Sequence, residues 1–151
     1  MVKFLVVRFS STEDILLTTP VVRHLKKQVD DATVHYLTKK TFVPLLEANP
    51  YIDKVHSFDG KMKPCLQELK EEGFDYIIDL HNNTKSARIK FSLKRMDFTV
   101  KNLSALTWLY VKLGINRPSE LRMVEKNMAT ISIFISETDE EGIDYPEAWS
   151  G

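Results

Sequence analysis

Glycine is scarce and comes late: the chain holds five, and the first is Gly60. A dinucleotide fingerprint and a Walker loop both need glycines in the turn after a first strand, so neither is present there. Cysteine is scarcer still. Cys65 stands alone, which excludes an internal disulfide and a CxxC metal site, and is compatible with the cytoplasm. No apolar run approaches the roughly 18 residues needed to span a bilayer. The N-terminal apolar run is short and carries one lysine, so it reads as a strand and not as a signal peptide. Net charge is also absent, with 21 basic against 21 acidic residues. No global pull toward nucleic acid follows, and no nucleic-acid partner is expected.

What is present is a core-forming pattern. The 151 residues are 43% hydrophobic and 28% charged, enough for one domain with a real core. Apolar runs predict strands at Val2–Arg8, Thr33–Thr38, Ile52–Phe58, Phe74–Leu80 and Phe98–Val100. Helical periodicity predicts helices at Asp14–Val29, Thr41–Ala48, Lys63–Glu72, Thr84–Arg95, Ser104–Leu113 and Glu120–Ile135. Pro20 either kinks the first helix or begins its regular part. Strands alternating with helices imply βαβ units, hence an α/β, doubly wound, mainly parallel sheet. The most continuously apolar strands, the first and fourth, belong in its interior, with the first central and the third near an edge. A domain over residues 1–136 is expected, with residues 137–151 as a linker or frayed tail.

Chemistry-bearing residues gather after the first and fourth strands, where open α/β sheets bind ligands. Ser10, Ser11, Thr12, Glu13 and Asp14 follow the first strand. Two readings of Asp14 stand side by side. It closes a capping box with Ser11, as Glu13 would with Ser10, or it serves as an ionised general base. Asp79, His81, Asn82, Asn83 and Lys85 follow the fourth strand. They suit sugar hydroxyls or an anion, or else form an ordinary capped turn. His81 lacks a sequence-adjacent partner, so no metal is assigned. Lys54, Lys61 and Lys63 flank the third strand, and Lys85, Arg88, Lys90, Lys94 and Arg95 decorate the fourth helix. They form a solvated face, or a field for an acidic acceptor. Trp108 and Tyr110 read as core or interface residues.

Several stretches together resemble glycosyltransferase family 9, the lipopolysaccharide heptosyltransferases. They are Phe4-Leu-Val-Val-Arg-Phe-Ser-Ser11, Asp14-Ile-Leu-Leu-Thr-Thr-Pro20-Val-Val-Arg23, His35-Tyr-Leu-Thr-Lys-Lys40, Asn49-Pro-Tyr-Ile-Asp-Lys54 and Phe74-Asp-Tyr-Ile-Ile-Asp79-Leu-His81. The resemblance implies the Rossmann-like N-terminal half of a two-domain GT-B enzyme. Such an enzyme transfers a sugar, with inversion and without a metal or other cofactor in the chemical step, from a nucleotide sugar such as ADP-heptose. Its acceptor is a lipid-linked lipopolysaccharide core sugar. By the same resemblance Asp14 is the catalytic base, and Ser10, Ser11, Thr12, Glu13, Lys61, Lys63, His81, Asn82, Asn83 and Lys85 are acceptor-side residues. A cytoplasmic location is implied, with peripheral contact to the inner membrane.

The family places glycine where this chain has Glu13. That glycine permits a positive φ and close approach of substrate, whereas Glu13 adds bulk and a charge that repels an anionic acceptor. The donor domain is expected to lie outside these residues, which leaves the chain alone inactive for want of a held nucleotide sugar. Met123, Met128, Ile131, Phe134 and Trp149 are expected to form an apolar face toward that partner domain. Two other readings remain. One is a phosphoreceiver-like signalling module using Glu13, Asp14, Asp79 and Lys101. The other is a non-catalytic partner subunit.

Overall fold

The structure is a computed structural model that describes residues 1–101 and 119–149. Five strands, all parallel, form one sheet in the order β3-β2-β1-β4-β5. They are β1 (Val2–Val7), β2 (Ala32–Lys39), β3 (Lys54–Phe58), β4 (Tyr76–Asp79) and β5 (Met96–Thr99). Central β1 pairs with β2 from Val2↔Ala32 to Val7↔Leu37, and with β4 from Phe4↔Tyr76 to Val7↔Asp79. The sheet is therefore Rossmann-like, with the first strand in the middle and the third at an edge.

Strand alternation splits the core into two layers. Phe4 and Val6 face one side with Ile15, Val21, Val22, Leu25, Val34 and Ile78, while Leu5 and Val7 face the other with Leu37, Leu69, Ile77 and Ile89. Helix α2 (Thr19–Gln28) covers the first side, and α4 (Met62–Glu72) and α5 (Thr84–Leu93) cover the second. Burying each such side chain stabilises the fold by about 1.5–3 kcal/mol relative to exposure. Gly73 closes α4 in the left-handed conformation, at φ 69°, where a side chain would be strained.

The first predicted helix is two helices. Helix α1 (Thr12–Leu16) stops, and α2 begins at Thr19 with Pro20 in its first turn. Thr18 Oγ1 donates to the Ile15 carbonyl at 2.6 Å and Thr19 Oγ1 to that of Leu16 at 2.7 Å. These hydroxyls satisfy carbonyls freed where α1 ends. The predicted helix over 41–48 is a 3₁₀ turn, Lys40–Phe42, followed by the short α3 (Val43–Leu46). The last helix, α6 (Ser119–Thr130), is shorter than expected and gives way to a 3₁₀ turn at Ser132–Phe134. The helix expected over 104–113, with Trp108 and Tyr110, lies outside the described residues.

Two expectations for the C-terminal segment are corrected. Met128 and Ile131 are buried in the core rather than presented to a partner. Phe134 packs edge-on against Phe4, Tyr76 and Phe98 at 5.0, 5.0 and 4.9 Å between ring centroids. Residues 137–144 are not frayed either, because they close over α2. Arg23 is fully buried there: its Nη2 and Nε donate to Asp139 at 2.7 and 3.0 Å, and its Nη1 to Asp144 and the Gly142 carbonyl, each at 2.8 Å. Burial alone would push the Arg23 pKa down, but Asp139 and Asp144 hold it up. A charge buried this deeply requires such partners.

Candidate functional site

A parallel sheet brings every strand's carboxyl end to one edge, so the loops after β1, β2 and β4 meet there. Arg8 joins them. Its Nε donates to the Ser10 carbonyl at 2.7 Å, its Nη1 to the Leu80 carbonyl at 3.0 Å, and its Nη2 to Asp14 Oδ2 at 2.8 Å. One half-buried guanidinium thus locks the turn after β1, the turn after β4 and the candidate base into a single arrangement. The Phe9 amide donates to His81 Nδ1 at 3.3 Å, which leaves the ring's own proton on Nε2.

Asp14 is not a cap. Ser11 occupies the N-cap of α1 but makes no side-chain cap bond, and its Oγ donates to Asp14 Oδ2 at 3.2 Å. The capping-box reading therefore does not hold here. Both contacts fall on Oδ2, so among the described residues Oδ1 has no hydrogen-bond partner, and the side chain is 33% exposed. One oxygen is held and the other is open to accept a proton. Glu13 is exposed and lies within α1 with helical backbone. No positive φ is needed at that position, so its effect here is confined to bulk and charge. Thr12 is exposed and Ser10 partly so.

Charges of both signs surround the Arg8–Asp14 pair. Burial pushes the His81 pKa down, Arg8 lowers it further, and Asp79 and Asp14 oppose this. Lys126, projecting from α6, is pushed down by burial and by Arg8 and is drawn up by Asp14. A lysine remote in sequence therefore shares the electrostatic environment of the Arg8–Asp14 pair. Lys39 ends β2 at the same edge and adds to the field felt by His81.

The turn after β4 is built by its own residues. Asp79 is fully buried. Its Oδ1 accepts from the His81 and Asn82 amides at 3.0 and 2.8 Å, and its Oδ2 sits 2.9 Å from Lys90 Nζ. Asn82, at φ 55°, donates from Nδ2 to the Val100 carbonyl at 3.0 Å. Asn83 caps α5 in a reciprocal box with Ser86. Hence Asp79 and Asn83 are architectural, and the capped-turn reading holds for them. Asp79 is fully buried, with Oδ1 committed to two backbone amides, so it is not presented to solvent as a phosphoacceptor would be, which counts against the phosphoreceiver reading.

The other lysines divide by position. Lys61 and Lys63 are exposed at the start of α4, after β3's carboxyl end, and Lys85 Nζ lies 5.4 Å from the Phe58 ring centre. Lys54 begins β3 at the opposite end and pairs with Glu72 at 3.1 Å, so it does not belong to this edge. Arg8, Lys39 and Lys126 are residues of this edge that the sequence pattern did not single out. An arginine closing an apolar strand at a ligand-binding edge is a usable signal for the first. Nothing in the sequence marks the two lysines.

No family model matches the chain. Over 102 residues it is 28% identical to lipopolysaccharide heptosyltransferase 1 of Campylobacter coli, covering 64% of this chain and 30% of that protein. It is 34% identical over 56 residues to lipopolysaccharide heptosyltransferase 3 of Escherichia coli, covering 37% of this chain and 16% of that protein. Among solved structures, a glycosyl transferase family 9 protein from Veillonella parvula shares the fold with a TM-score of 0.73 at 17% identity, over 95% of this chain and 44% of that one. An Escherichia coli heptosyltransferase solved with ADP gives 0.71 at 19% identity, over 95% and 50%. The matches thus span half or less of these relatives' length. Among the described residues, no helix is long and apolar enough to cross a membrane.

Proposed function

We propose that this chain, a relative of the heptosyltransferases of glycosyltransferase family 9, is the acceptor-side half of an inverting sugar transferase, with Asp14 as its general base. The carrying observation is the division of the Asp14 carboxylate between a held Oδ2 and an open Oδ1. In the step we envisage, Oδ1 takes the proton of an acceptor hydroxyl. The acceptor's hydroxyl oxygen attacks the donor's anomeric carbon from the face opposite the nucleotide. The bond to the nucleotide diphosphate breaks, and the diphosphate leaves with the electron pair. General base catalysis of this kind contributes roughly 10²–10⁴-fold.

Arg8 positions the base through the Nη2 contact with Oδ2. Lys39, Lys126 and the exposed Lys61, Lys63 and Lys85 supply a field that attracts an anionic, lipid-linked sugar. The donor, ADP-heptose in this reading, is held by a second domain. The reaction takes place at the cytoplasmic face of the inner membrane, where the acceptor's lipid resides. The test is a two-dimensional NMR titration of the chain with a delipidated, anionic core-sugar acceptor. Salt-sensitive shifts should centre on Asp14, His81, Asn82 and Lys126. Shifts confined to another surface would contradict the assignment.

A further inference from the structure

A second polar cluster lies away from the carboxyl edge, beneath α4. His35 of β2 and His56 of β3 are both buried, and Glu72, one turn beyond Glu68 on α4, reaches them from above. His35 Nδ1 stands 2.9 Å from His56 Nε2 and 3.3 Å from Glu72 Oε2, and these three atoms lie within 4.8 Å of one another. His56 Nδ1 faces Glu68 Oε1 at 2.9 Å. That carboxylate fixes the His56 proton on Nδ1 and turns the Nε2 lone pair inward. A single proton on His35 Nδ1 then has to serve two acceptors at once. Phe74 packs edge-on against both rings, at 5.3 and 6.1 Å, and holds their planes.

We propose that His35 Nδ1, His56 Nε2 and Glu72 Oε2 form a three-ligand site for a divalent ion of the zinc class, with water in the fourth position and Glu68 orienting His56 from behind. Two imidazoles and one carboxylate are a ligand set that suits zinc, and a carboxylate behind a ligating histidine is the usual support. Ligands at about 2.0–2.1 Å in a tetrahedron stand about 3.3–3.4 Å apart. The His35–Glu72 spacing meets this, and the imidazoles need to part by a few tenths of an ångström. On binding, His35 moves its Nδ1 proton to Nε2, and the ion replaces that shared proton. It would tie β2, β3 and α4 together. Two cations oppose it: Lys3 Nζ, 3.0 Å from Glu72 Oε2, and Lys54 Nζ, 3.1 Å from Glu72 Oε1. Lys54 is half exposed and free to swing outward.

The probe is cobalt(II) alone, followed by zinc competition, on the full chain. We expect one cobalt per chain with the intense visible bands of tetrahedral coordination, displacement by zinc, and a higher melting temperature with zinc. Glu72→Gln should weaken binding at least about tenfold, and Lys54→Met should tighten it several-fold by removing a competing charge. The second variant separates ligation from mere structural damage. The proposal is overturned if the wild-type chain shows no saturable cobalt or zinc binding, or if binding is unchanged in Glu72→Gln.

Discussion

Replacing Asp139 by alanine should destabilise the protein far more than its place in an acidic C-terminal stretch suggests. Asp139 accepts two hydrogen bonds from a guanidinium that is itself fully buried, whereas Glu141 approaches the same group at 3.4 Å and is 55% exposed. Removing a partner from a buried charge leaves the charge without compensation. Hydrogen bonds to charged groups contribute about 1.5–3 kcal/mol each. Asp144 still neutralises Arg23, so the loss in Asp139→Ala should be about 3 kcal/mol, or roughly 6–12 °C in Tm for a chain of this size. Glu141→Ala should cost under about 1 kcal/mol, because an exposed pair contributes little. Urea and thermal unfolding, followed by circular dichroism, measure both. The Arg23 hydrogen bonds hold the Asp139 pKa down at about 2, so this contribution is complete above the ordinary carboxylate range and is lost as pH falls through about 2. Equal and small losses in the two variants would refute the view that residues 137–144 are an integral part of the fold.

Burial, with His56 beside it, pushes the His35 pKa down to about 4. With a chelator present, stability should therefore fall as pH drops from about 6.5 toward 4, and His35→Gln should flatten that slope in urea titrations. Asn83→Ala breaks the cap of α5 and should cost about 1 kcal/mol in the same assay. Glu13→Gln should tighten binding of an anionic acceptor, most clearly at low salt, because it removes a negative charge beside Asp14 without altering a helical backbone. Calorimetric titration at two ionic strengths checks that effect.

The central place of β1, the interior place of β4 and the edge place of β3 were legible because β1 and β4 are continuous apolar runs that have to be covered on both faces, whereas β3 alternates. The placing of Asp14 followed from that order, since the residues after a central parallel strand must emerge at the carboxyl edge. The contacts of Asp14 were not legible. A carboxylate three residues after a serine fits a capping box equally well, and only the reach of Arg8 across two loops decides between the readings. Arg23 shows the same limit more sharply. Helical periodicity puts it among apolar neighbours, but its counter-ions lie more than a hundred residues away, in a stretch too polar to read as core. Met128, Ile131 and Phe134 were legible as apolar, but not as part of this sheet's own core rather than a face left open for another domain. The break between α1 and α2 was present in the sequence as one of the two roles open to Pro20.

Whether Asp14 removes the acceptor's proton is decided by the turnover of Asp14→Asn with the chain joined to a donor domain, set beside nucleotide-sugar affinity in the same protein. Asparagine keeps the shape and the contacts with Ser11 but cannot accept the proton. We expect a fall in kcat on the order of 10²–10⁴-fold, with donor affinity nearly unchanged because the other domain holds the nucleotide. Near-normal turnover in Asp14→Asn would contradict the general-base role and leave the Arg8–Asp14 pair as a brace between two loops.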